Sequence, residues 1–200
     1  MDIMEWNTLY YGVAKPSKGR RLAINTMLVV MLMAFYGGWI DFVPEPWVER
    51  SSLYAALLLG VAVSVWLAWV NISGRNKSYL GGTGKMILLT PFCAVIATGF
   101  IWCALAHGLA GAITRLGGET AIAAPVQMYT NHQSRRHECD YQLRGGPMTS
   151  FLFDHLCTSA VYYEAHPARR VEVVLAGFRG PLGFYVKAFS HRGDLGAYRP

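Results

Sequence analysis

The chain has 200 residues, of which 53% are hydrophobic and 15% charged. A globular domain of ordinary composition is about 25% charged and about 45–50% apolar, so most water-soluble readings are disfavoured, and the high apolar and aromatic content excludes intrinsic disorder. Eighteen Lys and Arg against twelve Asp and Glu give a formal charge of +6, which suits nucleic acid or an acidic membrane surface until the charges are placed along the chain.

Residues 1–21 read as a cytoplasmic tail carrying Lys15, Lys18, Arg20 and Arg21. It lacks the compact apolar run and small-residue cleavage site of a signal peptide. Residues 22–116 read as a three-helix transmembrane region. Leu22 to Ile40, Ser51 to Gly74 and Met86 to Thr114 contain no Asp, Glu, Lys or Arg. A helix needs about 20 apolar residues to cross a hydrocarbon core of about 30 Å, which predicts spans over residues 22–40, 53–72 and 87–113. The third charge-free stretch has 29 residues, roughly 43 Å of helix. It is therefore expected to tilt, or to project its last turns around Gly108 to Ala112 from the membrane. Pro91 is expected near the start of a helix beginning around Ile87, where a missing amide costs little.

Span two places Ser52, Ala56, Gly60, Ser64 and Ala68 at every fourth position, and span three does the same with Ala104, Gly108 and Ala112. Such stripes let helix backbones approach closely, either within the bundle or against a partner or second copy. No acidic or basic side chain falls mid-span, which argues against a transporter, proton relay or voltage sensor. His107, near the outer end of span three, reads as an interfacial histidine.

Orientation follows from the loops. Lys15, Lys18, Arg20, Arg21, Arg75, Lys77 and Lys85 flank one side, and only Arg50 and Arg115 flank the other. Basic residues stay on the cytoplasmic side, so the expectation is a multi-pass inner (plasma) membrane protein with its amino terminus cytoplasmic and its carboxy terminus periplasmic or extracellular. Trp39 and Trp47 then lie at the outer interface, Trp66 and Trp69 at the inner one. The glycosylation-type motifs Asn71-Ile72-Ser73 and Asn76-Lys77-Ser78 fall on the cytoplasmic side. The segment Gly81-Gly82-Thr83-Gly84-Lys85 lacks both the preceding strand and the following Ser or Thr of a phosphate-binding loop, and reads as a flexible basic turn.

Residues 117–200 regain an ordinary composition and read as a small extracytoplasmic β domain of four to five strands, a barrel or a sandwich. Glu138 to Arg144 alternates as a half-buried strand does. Arg144 to Pro147 is a turn signal. Ser150 to Thr158 is apolar enough for a strand or a helix, and Arg170 to Ala176 and Leu182 to Phe189 are strand-like. Gly177 to Pro181 reads as the connection of a hairpin, and the chain from Gly193 reads as a loose tail.

Cys139 and Cys157 are the cysteines of this outer domain, and in an oxidising compartment they are expected to form a disulfide, contributing about 3 kcal/mol on the chain-entropy model. A competing arrangement is a metal site. His137, Cys139, His155 and Cys157 form two His-x-Cys pairs, and residues two apart on a strand share a face, so two strands would present a ligand set suited to zinc or reduced copper. Cys93 and Cys103 read as small buried apolar residues. Asp140, Asp154, His155, Ser159 and Glu164 are acid–base or nucleophile types, but no motif fixes a geometry among them. No catalytic residue and no cofactor are therefore assigned, and the chain is read as a non-enzyme.

Arg135, Arg136, Arg169, Arg170, Arg179 and Arg192 read as a solvated face or a contact for anionic lipid; outside the cytoplasm, nucleic acid is not an expected partner. The expected partners are the bilayer and a protein, or a second copy, met through the spans or the outer domain. The functional expectation is a membrane-tethered interaction module, an accessory subunit of an envelope complex or an immunity-type protein. The alternative is a metal- or redox-responsive envelope sensor using the His-x-Cys pair.

Overall fold

The computed structural model describes residues 3–72, 83–133, 139–148 and 155–198. Arg75, Asn76, Lys77, Gly81, Gly82, Arg135, Arg136, His137 and Asp154 lie outside the described residues. Two compact units make up the chain: Met1–Tyr36 with Ser52–Leu105, and Gly37–Ser51 with Ala106–Pro200.

The first unit is helical. Helix α1 (Ile3–Tyr11) stops at Gly12, whose φ of 68° lets its amide donate back to the Thr8 carbonyl. Helices α2 (Lys18–Trp39), α3 (Pro46–Ile72) and α4 (Thr83–Cys103) follow. Three helical segments, Lys18–Trp39, Pro46–Trp66 and Leu89–Gly117, are long and apolar enough to cross a membrane. On α3 the small residues turn inward: Ala56, Gly60 and Ser64 are buried, while Ser52 and Ala68 at the ends of the stripe are half-buried. Gly60 lies so close to Thr98 of α4 that a Cβ would collide with its backbone and hydroxyl. The Cys103 thiol donates to the Ala34 carbonyl at 3.3 Å, and Phe35 meets Phe100 edge-on at 6.3 Å.

The third span differs from expectation in two ways. Helix α4 starts at Thr83, one turn before Ile87, which puts Pro91 in the third turn rather than near the start. Helices in apolar surroundings tolerate this because neighbouring groups re-satisfy the carbonyl left without a donor. The helix also passes through a π-helical turn, Ala104–Leu109, before α5 (Ala110–Gly117). In the second small-residue stripe, Ala104 and Gly108 are buried in this turn and Ala112 is half-buried beyond it.

The second unit is built on an antiparallel sheet. Its strands are β1 (Phe42–Pro44), β2 (Glu119–Ile122), β3 (Val126–His132), β4 (Tyr141–Gly145), β5 (His155–Cys157), β6 (Arg169–Gly180) and β7 (Gly183–Ala197). The order is β1-β7-β6-β3-β4-β5, with β2 also pairing with β6. Strand β6 shows the period-2 pattern of a half-buried strand: Val171, Val173, Leu175 and Gly177 are buried, their neighbours less so. With Met128, Leu143, Met148, Leu156 and Val186 these valines and Leu175 make the core. Helix α5 packs on β6, β7 and β1, and Gly111 fits against Ile40 and Phe42 because it has no side chain. His107 is fully buried in this unit, beside the Phe42 backbone. The sheet curls strongly. His155 on the β5 edge acts electrostatically on Asp41, next to the β1 edge, opposing the rise in pKa that desolvation gives the Asp41 carboxyl.

Two further expectations are corrected. Gly177 to Gly180 continue β6, and the hairpin turns at Pro181 and Leu182. The glycine at 177 serves a close approach instead of a turn, since a Cβ there would strike the Tyr185 carbonyl on β7, next to a bulge between Ala176 and Gly177. The segment after Gly193 is strand as far as Ala197; Tyr198 then donates its amide to the Ala168 carbonyl and stacks on Tyr129 at 4.1 Å. Gly177→Ala is therefore expected to destabilise the sheet by about 1–3 kcal/mol. Gly193→Ala, where the added methyl meets open space, should leave stability within about 1 kcal/mol. Thermal unfolding of both full-length variants in detergent measures the difference.

Candidate functional site

Cys139 and Cys157 are joined by a disulfide with their Cα atoms 5.7 Å apart, bracing the entry to β4 against the end of β5. Beneath it lies a polar cluster: Gln142, fully buried, donates to the Cys139 carbonyl at 3.0 Å and accepts from Arg144 Nε at 3.0 Å. Arg144 also donates to Gln133 Oε1 at 2.9 Å. A nitrogen of His155 and the two sulfurs lie within 4.8 Å of one another. Because the sulfurs are bonded to each other, neither is a thiolate ligand in this state.

The other polar residues singled out from sequence do not converge. Ser159 caps helix α6 (Ala160–Ala165), its hydroxyl accepting the Tyr162 amide at 3.2 Å. Glu164 is exposed on that helix. Arg170 lies over the Tyr198 ring at 5.8 Å, Arg179 pairs with Glu45 at 3.8 Å, and Arg169 reaches Asp194 at 3.0 Å. These arginines are spread along β6.

Among the described residues, a dense cluster of titratable groups is one the sequence did not reveal. Tyr162 from α6, His166 just after it, and His191 and Asp194 from β7 meet over the open end of the β6–β7 hairpin. His166 Nδ1 lies 2.8 Å from Asp194 Oδ1, and His191 Nε2 lies 3.8 Å from the same oxygen. Arg169 Nη1 holds the other carboxylate oxygen at 3.0 Å. The Tyr162 hydroxyl is hydrogen-bonded to His191 Nδ1 at 3.0 Å, and the two imidazoles stack at 4.2 Å. Thr130 clamps the connection behind them: its hydroxyl donates to the His166 carbonyl and accepts the Arg169 amide at 3.0 Å.

Bulges explain how His191 and Asp194 share a face. On a regular strand, residues three apart point to opposite sides. Here Val173 pairs with His191 and Val171 with Asp194, so the bulge that leaves Arg192 without a partner makes the effective spacing two. The inward row of β7 thus runs Phe189, His191, Asp194, opposite Leu175, Val173 and Val171. The cluster thus lies on the core-facing side of β7 but beyond the core, with His191 and Asp194 exposed and Tyr162 of α6 against His191.

At the hairpin's turn end is a groove of about 380 Å³, floored by Phe42, Val43, Val126, Met148, Leu175 and Phe184. Glu45 and Glu49 stand at its rim, with Arg179 beside Glu45.

No protein-family model, no curated protein and no solved structure matches the chain. The chemistry of the site therefore rests on its own geometry.

Burial, and then the charge of Asp194, push the Tyr162 phenol up to about 12. The folded state favours the neutral phenol, so the stability it adds is complete below pH ~10 and is lost as the pH rises from about 10, the unperturbed value, to about 12. The difference between the phenolate absorbance titrations of the wild type and Tyr162→Phe should isolate one tyrosine ionising well above pH 10.

Proposed function

We propose that this chain is a three-span inner-membrane protein, its amino terminus cytoplasmic, that holds the disulfide-braced sheet outside the cytoplasm to bind a segment of a protein partner. Two features support the membrane part. In the most apolar windows of the three long helices only 11%, 28% and 17% of residues are buried by the rest of the chain. Helices apolar on all sides need lipid, or other helices, around them. The basic residues also favour one side. A disulfide joining Cys139 and Cys157 suits an oxidising compartment.

The groove carries the binding part. It combines an apolar floor with the carboxylates of Glu45 and Glu49, which suits an extended segment presenting a bulky apolar side chain next to a Lys or Arg. Desolvated apolar anchors with a charged rim are the features that concentrate binding energy in such contacts. An accessory role in an envelope complex, or an immunity-type role, places the same demand on the surface. The close approach of His155 to Cys139 and Cys157 favours a second reading, a redox- or metal-responsive sensor in which reduction releases two thiolates beside an imidazole. His137, the fourth member of that set, lies outside the described residues.

Topology is tested by reporter fusions. A phosphatase fused after Pro200 should be active and one fused after Lys77 inactive; the reverse overturns the orientation. A photoreactive residue at Val126 in the groove should give a discrete adduct in intact membranes that is lost with Glu49→Lys, while the same probe at Lys187 should not. Equal adducts from both positions, or none from Val126, count against the groove.

A further inference from the structure

We propose that His166, His191 and Asp194 form a zinc-binding site, separate from the groove and from the disulfide. Each offers one ligand atom, and these atoms lie within 4.8 Å of one another. Zinc takes nitrogen and carboxylate oxygen at about 2.0–2.2 Å, which sets ligand atoms roughly 3.3–3.6 Å apart around a tetrahedral ion. The two contacts to Asp194 Oδ1, at 2.8 and 3.8 Å, straddle that spacing. To surround one ion, the two imidazoles rotate out of the stack they form at 4.2 Å. Two histidines and one carboxylate leave a fourth position, and the exposure of His191 and Asp194 opens it to water.

The surrounding groups are those a metal site uses to orient its ligands. A metal-bound histidine is held through its other ring nitrogen, and the Tyr162 hydroxyl occupies Nδ1 of His191, leaving Nε2 for the ion. Arg169 occupies Asp194 Oδ2, which aims Oδ1 at both imidazoles. The bulge at Arg192 and the Thr130 clamp fix the backbone from which the ligands project. A plain structural ion pair requires neither the second histidine nor the hydroxyl behind it.

The test is titration of the metal-free, disulfide-intact full chain in detergent with Zn²⁺, and with Co²⁺ as a spectroscopic substitute. The expected result is one tightly bound zinc per chain, and visible cobalt bands without a sulfur charge-transfer band. Binding should be lost in His191→Ala and Asp194→Asn, and weakened roughly 10–100-fold in Tyr162→Phe, the range for removing a ligand's orienting partner. It should be unchanged in the Cys139→Ser/Cys157→Ser double variant. To separate loss of a ligand from disturbance of the strand, the thermal midpoint of each metal-free variant is measured alongside, and the wild-type cobalt spectrum needs no variant. Absence of stoichiometric zinc in the wild type, a sulfur charge-transfer band, or full affinity retained in Asp194→Asn and Tyr162→Phe each overturns the proposal. Zinc lost only on replacing the cysteines assigns the metal to the His155 site instead. The groove is tested by crosslinking, so either idea can fail without the other.

Discussion

The pairing of β6 with its neighbours is the interaction on which the second unit depends. One edge of β6 carries β7 along its whole length; the other carries β3 against Arg170 to Val173 and β2 against Ala176 to Arg179. Strands β1 and β5, three residues each, are too short to persist alone and exist because a longer ladder receives them. Val171, Val173 and Leu175 on β6 are fully buried, and side chains of this size contribute about 1.5–3 kcal/mol each when removed from water. Strand β6 therefore supplies the ladder and much of the core at once. The disulfide works at the opposite margin, holding β5, a three-residue strand paired with β4, onto that neighbour.

What was legible in the sequence follows from which signals are local. Absence of charge over about 20 residues is a property of a single segment, and the three long apolar helices were read from it, although α3 begins at Pro46, a turn or two before the expected start at residue 53. Alternation is also local, so Val171, Val173 and Leu175 announced β6. The paired cysteines were legible from residue type and location. Other elements exist only through distant partners. Phe42-Val43-Pro44 has too few residues to show a period and becomes strand because β7 offers it Gly183 to Tyr185. Strand β3 buries Met128 and Thr130, and Thr130 is tolerated inside because its hydroxyl is satisfied by the His166 carbonyl and the Arg169 amide, partners invisible along the chain. The π-turn at Ala104–Leu109, within which His107 is fully buried, has no residue signature.

Glycine was the most misleading residue. Gly177 and Gly180 flank Phe178-Arg179 in a pattern that suits a turn, yet Gly177 is needed where two backbones nearly touch. Gly193 looked like the start of an unstructured tail, and stopping there concealed Asp194. Phe189 and His191 continue the inward alternation of β7, which was a usable signal for His191. Asp194 falls out of that period because of the bulge at Arg192. A bulge changes the side on which every later residue appears, so no fixed-period reading of the segment would have joined His191 to Asp194.

The same bulges bear on the exposed edge of the sheet. Among the described residues, β7 from Lys187 to Ala197 is paired only with β6, leaving a long edge of the kind that invites another strand. Natural sheets blunt such edges with bulges and charged side chains. Here the bulges at Arg192 and Leu195, with Lys187, Arg192 and Asp194 along the strand, do that work. The irregularity that protects the edge also turns Asp194 toward the two imidazoles, so one distortion serves both ends. Its cost to the ladder is offset locally, since His166 and Arg169 bind the bulged segment through Asp194. The groove lies at the other end of the hairpin. The two are nonetheless joined through the sheet: Val126 of the groove pairs with Val173, which pairs with His191, and Leu175 of the groove floor pairs with Phe189, on which Tyr162 packs. A change at either end is therefore expected to be felt at the other through Val173 and Leu175, since residues that share packing partners do not act additively.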